Sequence, residues 1–294
     1  MMRAWKAVQL NHSNAIMKTI LALTLVLVVA AQSADWHKIQ SFRNAIGASH
    51  ANSVNIVGGR VAPPGLLPFQ VLIWYQRNGR SKICGGSLIK EDQVLTAAHC
   101  CYEASFFVVF HATINYEMEE PNRKNGMATR YTMHESYNNV TDAHDVCIIH
   151  LDEEVRGEGI ATIRLPSRSQ AKWTLTGKIA TISGYGRTKN SNTRNTVLRY
   201  TDVIIMNSTI CSRYYPSFNA TILICAKNVA NASGTCKGDS GGPLTITESD
   251  GVKTQVGISS YGPLPRDGGC ESLRPDGYVR ITYYLDWIKR VAGL

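Results

Sequence analysis

The chain has 294 residues, 44% hydrophobic and 18% charged, a balance that suits an ordered globular protein with a sizeable core and argues against disorder. Its formal charge is +9, but five cations against one acid fall within residues 1–55. No Lys- or Arg-rich run interleaved with aromatics appears, which argues against a nucleic-acid footprint and leaves a mildly basic surface favouring acidic partners.

Residues 17–34 read as a secretory signal. Lys18 supplies the positive start, Ile20 to Ala31 the apolar run, and Ala30, Ala31, Ser33 and Ala34 the cleavage region. A run of about a dozen apolar residues is short of the roughly 20 needed to span a bilayer, so a signal anchor is the lesser reading. Residues 1–33 are assigned to the signal, with Met17 an alternative start, and the polar, aperiodic residues 34–55 to a propeptide.

From Ile56 onward short apolar runs alternate with polar or glycine-bearing turns. Phe69 to Trp74, Gly86 to Ile89, Val94 to Ala97, Phe106 to Phe110 and Val146 to Leu151 come before a linker at Leu165 to Gln170. Lys178 to Ser183, Leu198 to Met206, Leu244 to Thr247 and Val256 to Ser260 follow it. Many short strands with turns between them predict an all-β sandwich or barrel in two halves. Only the tail, about residues 282–292, has helical spacing, with Tyr284, Leu285, Trp287, Ile288 and Val291 on one face.

A secretory route changes how the cysteines are read. Cys84, Cys100, Cys101, Cys147, Cys211, Cys225, Cys236 and Cys270 are even in number and suit four disulfides. No CxxC pair or His/Cys cluster has zinc-site spacing, so neither a structural metal nor a cofactor is expected. Sequons at Asn139, Asn207, Asn219 and Asn231 are usable in that route. Glu117, Glu119 and Glu120 suggest a cation loop, although a solvated acidic turn is the commoner meaning.

Three residues carry the chemistry. His99 follows the small residues Thr96-Ala97-Ala98 and precedes Cys100, which would pin its backbone; a lone histidine is ordinarily structural. Asp145 opens the apolar run Val146 to Leu151 and is suited to accept from one ring nitrogen of His99, fixing its tautomer. Ser240 lies in Gly238-Asp239-Ser240-Gly241-Gly242-Pro243, where glycines permit a tight turn and leave the hydroxyl open to a carbonyl. A serine hydroxyl alone is a poor nucleophile, and the two upstream groups supply the base and the orienting acid it needs.

The order His99, Asp145, Ser240, with Ile56-Val57-Gly58-Gly59, Cys84-Gly85-Gly86-Ser87-Leu88, Gly184-Tyr185-Gly186 and Ser260-Tyr261-Gly262, resembles the chymotrypsin-like (trypsin-fold) serine peptidases from Ile56 to the C-terminus. Tyr185 and Tyr261 stand where that family more often has Trp. The resemblance implies two packed antiparallel Greek-key β-barrels, about residues 56–165 and 166–281, and a C-terminal α-helix. It implies a secreted, digestive-type endopeptidase that forms an acyl-enzyme at Ser240, with the N–H groups of Gly238 and Ser240 as the oxyanion hole. It also implies that cleavage before Ile56 frees an amine to pair with Asp239, although Asn55 departs from the usual basic residue there.

The same family pattern implies disulfides Cys84–Cys100, Cys211–Cys225 and Cys236–Cys270. Cys101 and Cys147 remain, each near a residue of the His99–Asp145 pair, and a fourth bridge is expected over two free thiols. At the specificity pocket, Gly234 stands where trypsin-like members carry aspartate, and Gly262 leaves the entrance open. Asp276 aligns with the facing wall unless the register slips to Gly277. A glycine base with an aspartate opposite resembles broad-specificity collagenolytic members and implies a chymotrypsin-like or broad preference. Lys237, beside the oxyanion hole, is a candidate for steering acidic groups on the leaving side. Expected partners are protein or peptide substrates, an activating protease and protein inhibitors, with a monomer, no nucleic acid and no membrane after signal removal. The rival is an inactive homologue serving as a binding or regulatory module.

Overall fold

A computed structural model describes residues 59–191, 194–227 and 234–294. The signal, the propeptide, Ile56 and the sequon at Asn231 lie outside the described residues. Among the described residues the apolar runs form fourteen strands in two seven-stranded antiparallel sheets. The first strand, β1 (Arg60–Val61), belongs to the second sheet, not to the first barrel as the sequence division implies. It pairs with Tyr200 and Arg199, Ala62 N donates to Leu198 O (2.9 Å), and the Arg60 guanidinium lies over the Tyr200 ring. Two residues are too few to show an alternation that would have revealed this.

The first sheet holds β2 (Gln70–Arg77), β3 (Arg80–Lys90), β4 (Gln93–Thr96), β5 (Phe106–His111), β6 (Lys124–Ala128), β7 (Arg130–Met133) and β8 (Cys147–His150), in the order β6-β5-β2-β3-β4-β8-β7. Gly86 of β3 makes room for its core, since a Cβ there would lie 2.7 Å from Ile73 and 2.8 Å from Val94 side-chain atoms. The second sheet joins β1 to β9 (Ile179–Gly184), β10 (Arg199–Ile205), β11 (Leu223–Lys227), β12 (Pro243–Thr247), β13 (Lys253–Tyr261) and β14 (Asp276–Arg280). Its order is β1-β10-β11-β14-β13-β12-β9, and β9 also pairs with β10, closing the strands around Ile182, Val203, Ile224, Leu244, Val256 and Tyr278.

Where the two sheets meet, the buried contacts are partly polar. Ser183 Oγ donates to Gln70 Oε1 and Ser87 Oγ donates to Gln255 Oε1, both at 2.6 Å, and each amide's nitrogen donates to a backbone carbonyl. Each bond runs from one half of the chain to the other, so the two halves dock in one register rather than sliding on an apolar face.

The C-terminal helix spans Ile281–Ala292, with Tyr284, Leu285, Trp287 and Ile288 buried and Gly293 ending it at positive φ. Two short helices precede it that the spacing does not predict: Ala98–Cys101 (α1) and Ser208–Tyr214 (α2), making the C-terminal helix α3. The Asn207 side chain caps α2 by accepting from Thr209 N (2.8 Å), a local signal that a search for apolar periodicity overlooks. No helix among the described residues is long and apolar enough to cross a membrane. The eight cysteines form Cys84–Cys100, Cys101–Cys147, Cys211–Cys225 and Cys236–Cys270.

Removing one partner of a buried hydrogen bond leaves the other unsatisfied, at a cost of about 1–3 kcal/mol. Gln70→Ala and Gln255→Ala are each expected to lower stability by at least that amount in urea unfolding. A loss below about 0.5 kcal/mol, within the range of ordinary surface substitutions, would remove these pairs as a register device.

Candidate active site

Strand β4 ends at Thr96, and the fully buried Ala97 and Ala98 bring α1 close against β8. Asp145, 1% exposed, lies just before β8. Its Oδ1 accepts from His99 N at 2.8 Å, its Oδ2 lies 2.8 Å from His99 Nδ1, and Ser260 Oγ donates to the same Oδ2 at 2.6 Å. A buried carboxylate holding these donors favours the tautomer with the proton on Nδ1, leaving Nε2 as acceptor. The His99 carbonyl is held in turn by the Arg77 guanidinium at 3.0 Å, which also donates to Tyr102 O. Burial opposes charge on the His99 ring, but the charge and hydrogen bond of Asp145, aided by Asp142, outweigh it and raise the ring's pKa.

Ser240 sits in a turn built on glycines at positive φ, Gly238 (+106°) and Gly241 (+79°). Gly241 is pressed against the end of β4: a Cβ there would lie 2.0 Å from Thr96 Oγ1 and 2.6 Å from Gly85 O. Gly85 N donates to Ser240 O (2.8 Å) and Gly241 N to Ser259 O (2.7 Å). The turn thus comes from the second half of the chain but rests on β3 and β4 of the first. Ser240, Thr235, Ser260, Tyr261 and Gly262 line a cavity of about 420 Å³.

Asp239 points away from that cavity and is buried, accepting from Gly186 N (2.7 Å) and Cys236 N (3.0 Å). Glycines 184 and 186 make its room, since a Cβ on either would fall 2.1 Å and 2.3 Å from its oxygens. Burial pushes its carboxyl up to about 6, against the pull of the two N–H donors.

Asp276 reaches both pocket glycines, Gly234 and Gly262. It lies against Gly234, with Thr235 N donating to its Oδ2 at 2.7 Å. A Cβ on Gly234 would be 2.2 Å from Oδ2, and one on Gly262 would be 2.9 Å from Oδ1, so the carboxylate fills the space of the side chain that Gly234 lacks. The β13–β14 register, which shifts between Ser259 and Tyr261, sets this and puts Gly277 beneath the Tyr261 ring. Burial, helped by Asp239, pushes the Asp276 carboxyl up to about 7. Tyr215, for which the sequence offers no signal, packs edge-on against Tyr261 (5.0 Å) and donates to Pro275 O.

Other candidates find structural employment. Both Glu120 oxygens accept backbone N–H groups, from Ile114 (2.7 Å) and Asn115 (2.9 Å), and Glu117 lies 3.9 Å from Arg194. The metal-like group among the described residues, Cys84, His99 and Cys100, has its two sulfurs joined in a disulfide and offers no thiolate. Asn139, Asn207 and Asn219 are exposed; Asn139 Nδ2 donates to Tyr102 OH (2.8 Å), while Asn207 and Asn219 use Oδ1 to cap local turns.

Residues 56–288 match the model of the trypsin family. The chain belongs to that family. It is 35% identical to a brachyurin of Leptuca pugilator over 81% of this chain and 99% of the relative. It is 30% identical to a collagenase of Hypoderma lineatum, covering 92% and 98%, and 33% identical to a chymotrypsin of Phaedon cochleariae, covering 81% and 82%. A solved structure described as an HL collagenase superposes with a TM-score of 0.71 at 32% identity, over 81% of this chain and 99% of that one. The trypsin-family fold of two antiparallel barrel-like sheets with a C-terminal helix is therefore the fold of this protein, and the protein is a serine endopeptidase.

Replacing Asp145 by Asn removes the charge and leaves burial to act alone on the ring. In a Ser240→Ala background, Asp145→Asn is expected to lower the His99 pKa, read by NMR titration of the imidazole. A pKa unchanged or raised would mean that Asp145 does not set the charge state of His99.

Proposed function

We propose that Ser240 is the nucleophile, His99 its general base and Asp145 the group that orients His99 and stabilises the imidazolium. The observation that carries this is the Asp145 hydrogen-bond set on His99, with Ser240 on a turn resting against the same segment of chain. His99 Nε2 takes the hydroxyl proton as Oγ attacks the scissile carbonyl, and returns it to the leaving amine. The resulting acyl-enzyme is released when water, deprotonated by the same nitrogen, attacks the ester. The N–H groups of Gly238 and Ser240 receive the developing oxyanion, each such donor being worth about 3 kcal/mol at the transition state.

The enzyme is secreted as a zymogen in this reading, with a digestive role. The burial of Asp239 without a cation among the described residues supports a cation reaching it after cleavage before Ile56, and Asn55 requires an activating protease that does not need a basic residue there. An inactive homologue is not favoured, because the three catalytic side chains are retained.

A fluorophosphonate is expected to label wild-type activated enzyme at Ser240, and Ser240→Ala is expected to lower kcat by about a millionfold. Normal turnover in that variant would sink the assignment. The base must be neutral, so a raised His99 pKa means that kcat/KM falls as pH drops, with its acid limb centred above 6.5.

The pocket, with Gly234 as base and Asp276 tucked beside it, supports broad specificity. Asp276 is anionic above about pH 7 and neutral below it. Cleavage after Lys or Arg, relative to Leu or Phe, is therefore expected to rise as pH increases through 7. Asp276→Asn should abolish that rise, and a ratio flat from pH 5.5 to 8.5 in wild type would remove Asp276 from specificity. The collagenase relative makes native collagen a substrate to include in the panel.

A further inference from the structure

The side chains around Ser240 are unevenly charged. Arg187, Lys189 and Lys237 line the same cavity as Ser240, and no Asp or Glu lines it. Arg187 N donates to Lys237 O at 2.9 Å, tying these two positions together immediately before Gly238. On the other flank, the Ile83 side chain lies 3.2 Å from where a Gly238 Cβ would be, which sets β3 beside the oxyanion turn. Arg80 and Lys82 of that strand are exposed.

None of these five side chains makes a hydrogen bond or ion pair among the described residues, whereas Arg164, Arg168 and Arg274 elsewhere on the surface each hold an acid within 3.5 Å. The acids that approach are engaged. Glu103 accepts from Asn78 at the β2–β3 hairpin tip, Glu271 accepts from Asn190 N, and Asp239 and Asp276 are buried beneath the cavity. Arg77 is turned inward onto the His99 and Tyr102 carbonyls. The Lys82 ammonium is held below its usual pKa, by burial first and then by the like charges of Arg77 and Arg80.

Direction follows from the catalytic reading, on which this inference rests. The resemblance of Ser260-Tyr261-Gly262 to the family's substrate-binding strand implies that the acyl side of a substrate lies along that edge. The chain beyond the scissile bond then leaves on the other side of Ser240, between Ile83 and Lys237. We propose that Arg187, Lys189 and Lys237 form a leaving-side subsite that selects acidic residues in the first positions after the scissile bond. An incoming Asp or Glu side chain relieves repulsion among cations that have no partner among the described residues, and it does so in the transition state as well as on binding. The subsite is open to solvent, so salt weakens it: screening shortens to about 3 Å at 1 M from about 10 Å at 0.1 M.

The test uses activated full-length enzyme and internally quenched, C-terminally amidated peptides. They share one acyl half and carry Glu-Glu or Gln-Gln after the scissile bond. Amidation removes the peptide's own terminal carboxylate as a source of the effect. The readout is the Glu-to-Gln ratio of kcat/KM within each enzyme, normalised by fluorophosphonate titration. In wild type the ratio is expected to be about ten at 20 mM salt, equivalent to about 1.4 kcal/mol, and to fall towards one at 1 M. In Lys189→Gln/Lys237→Gln it should drop several-fold at low salt.

A wild-type ratio of one at low salt would overturn the proposal, as would a ratio that ignores salt or survives in the double variant. A ratio of one accompanied by equal effects of a sulfated oligosaccharide on both peptides would overturn it in favour of a polyanion surface. The wild-type salt series decides the matter even where the double variant does not fold. Loss of the catalytic reading has a different signature: no fluorophosphonate titration and no cleavage of either peptide.

Discussion

Asp145 carries a carboxylate into a place that water does not reach, and the molecule is arranged to make that tolerable. Its partners come from separate parts of the chain: a backbone N–H and a ring nitrogen from α1, and a hydroxyl from β13. α1 packs with the first sheet and β13 belongs to the second, so the acid can be satisfied only when both halves are docked. A buried charge left unpaired is strongly destabilising, which makes this docking cooperative. The polar pairs Gln70–Ser183 and Ser87–Gln255 work in the same direction by penalising any slipped arrangement.

Two more buried acids lie within the second half, and both are accommodated by missing side chains. Asp239 fits because residues 184 and 186 are glycine, and Asp276 fits because residues 234 and 262 are glycine. In each case the backbone is stripped where the carboxylate must sit, and backbone N–H groups supply part of its solvation. The two carboxyls stay differently poised, near 6 and near 7.

The strands and the positions of His99 and Ser240 are legible because each carries a short-range signature: an apolar run of strand length, a histidine beside cysteines, a serine among glycines. What escaped depends on contacts across long separations. The strand assignment of Arg60–Val61 follows from Leu198 to Tyr200, and the hold of Ser260 on Asp145 spans 115 residues. Asp276 could be aligned with the pocket, but its position beneath Gly234 needed the shifted β13–β14 register. Arg77 acts through two backbone carbonyls and Tyr215 through one carbonyl and one ring face, and no local pattern marks such roles.

The Cys101–Cys147 bridge ties the chain two residues beyond His99 to the chain two residues beyond Asp145. His99 and Asp145 are thereby held by one covalent link within the first half, whereas Ser240 sits on a turn from the second. The spacing between His99 and Ser240 therefore depends on how the two halves dock, whereas the His99–Asp145 pair has a covalent tether of its own beside its hydrogen bonds.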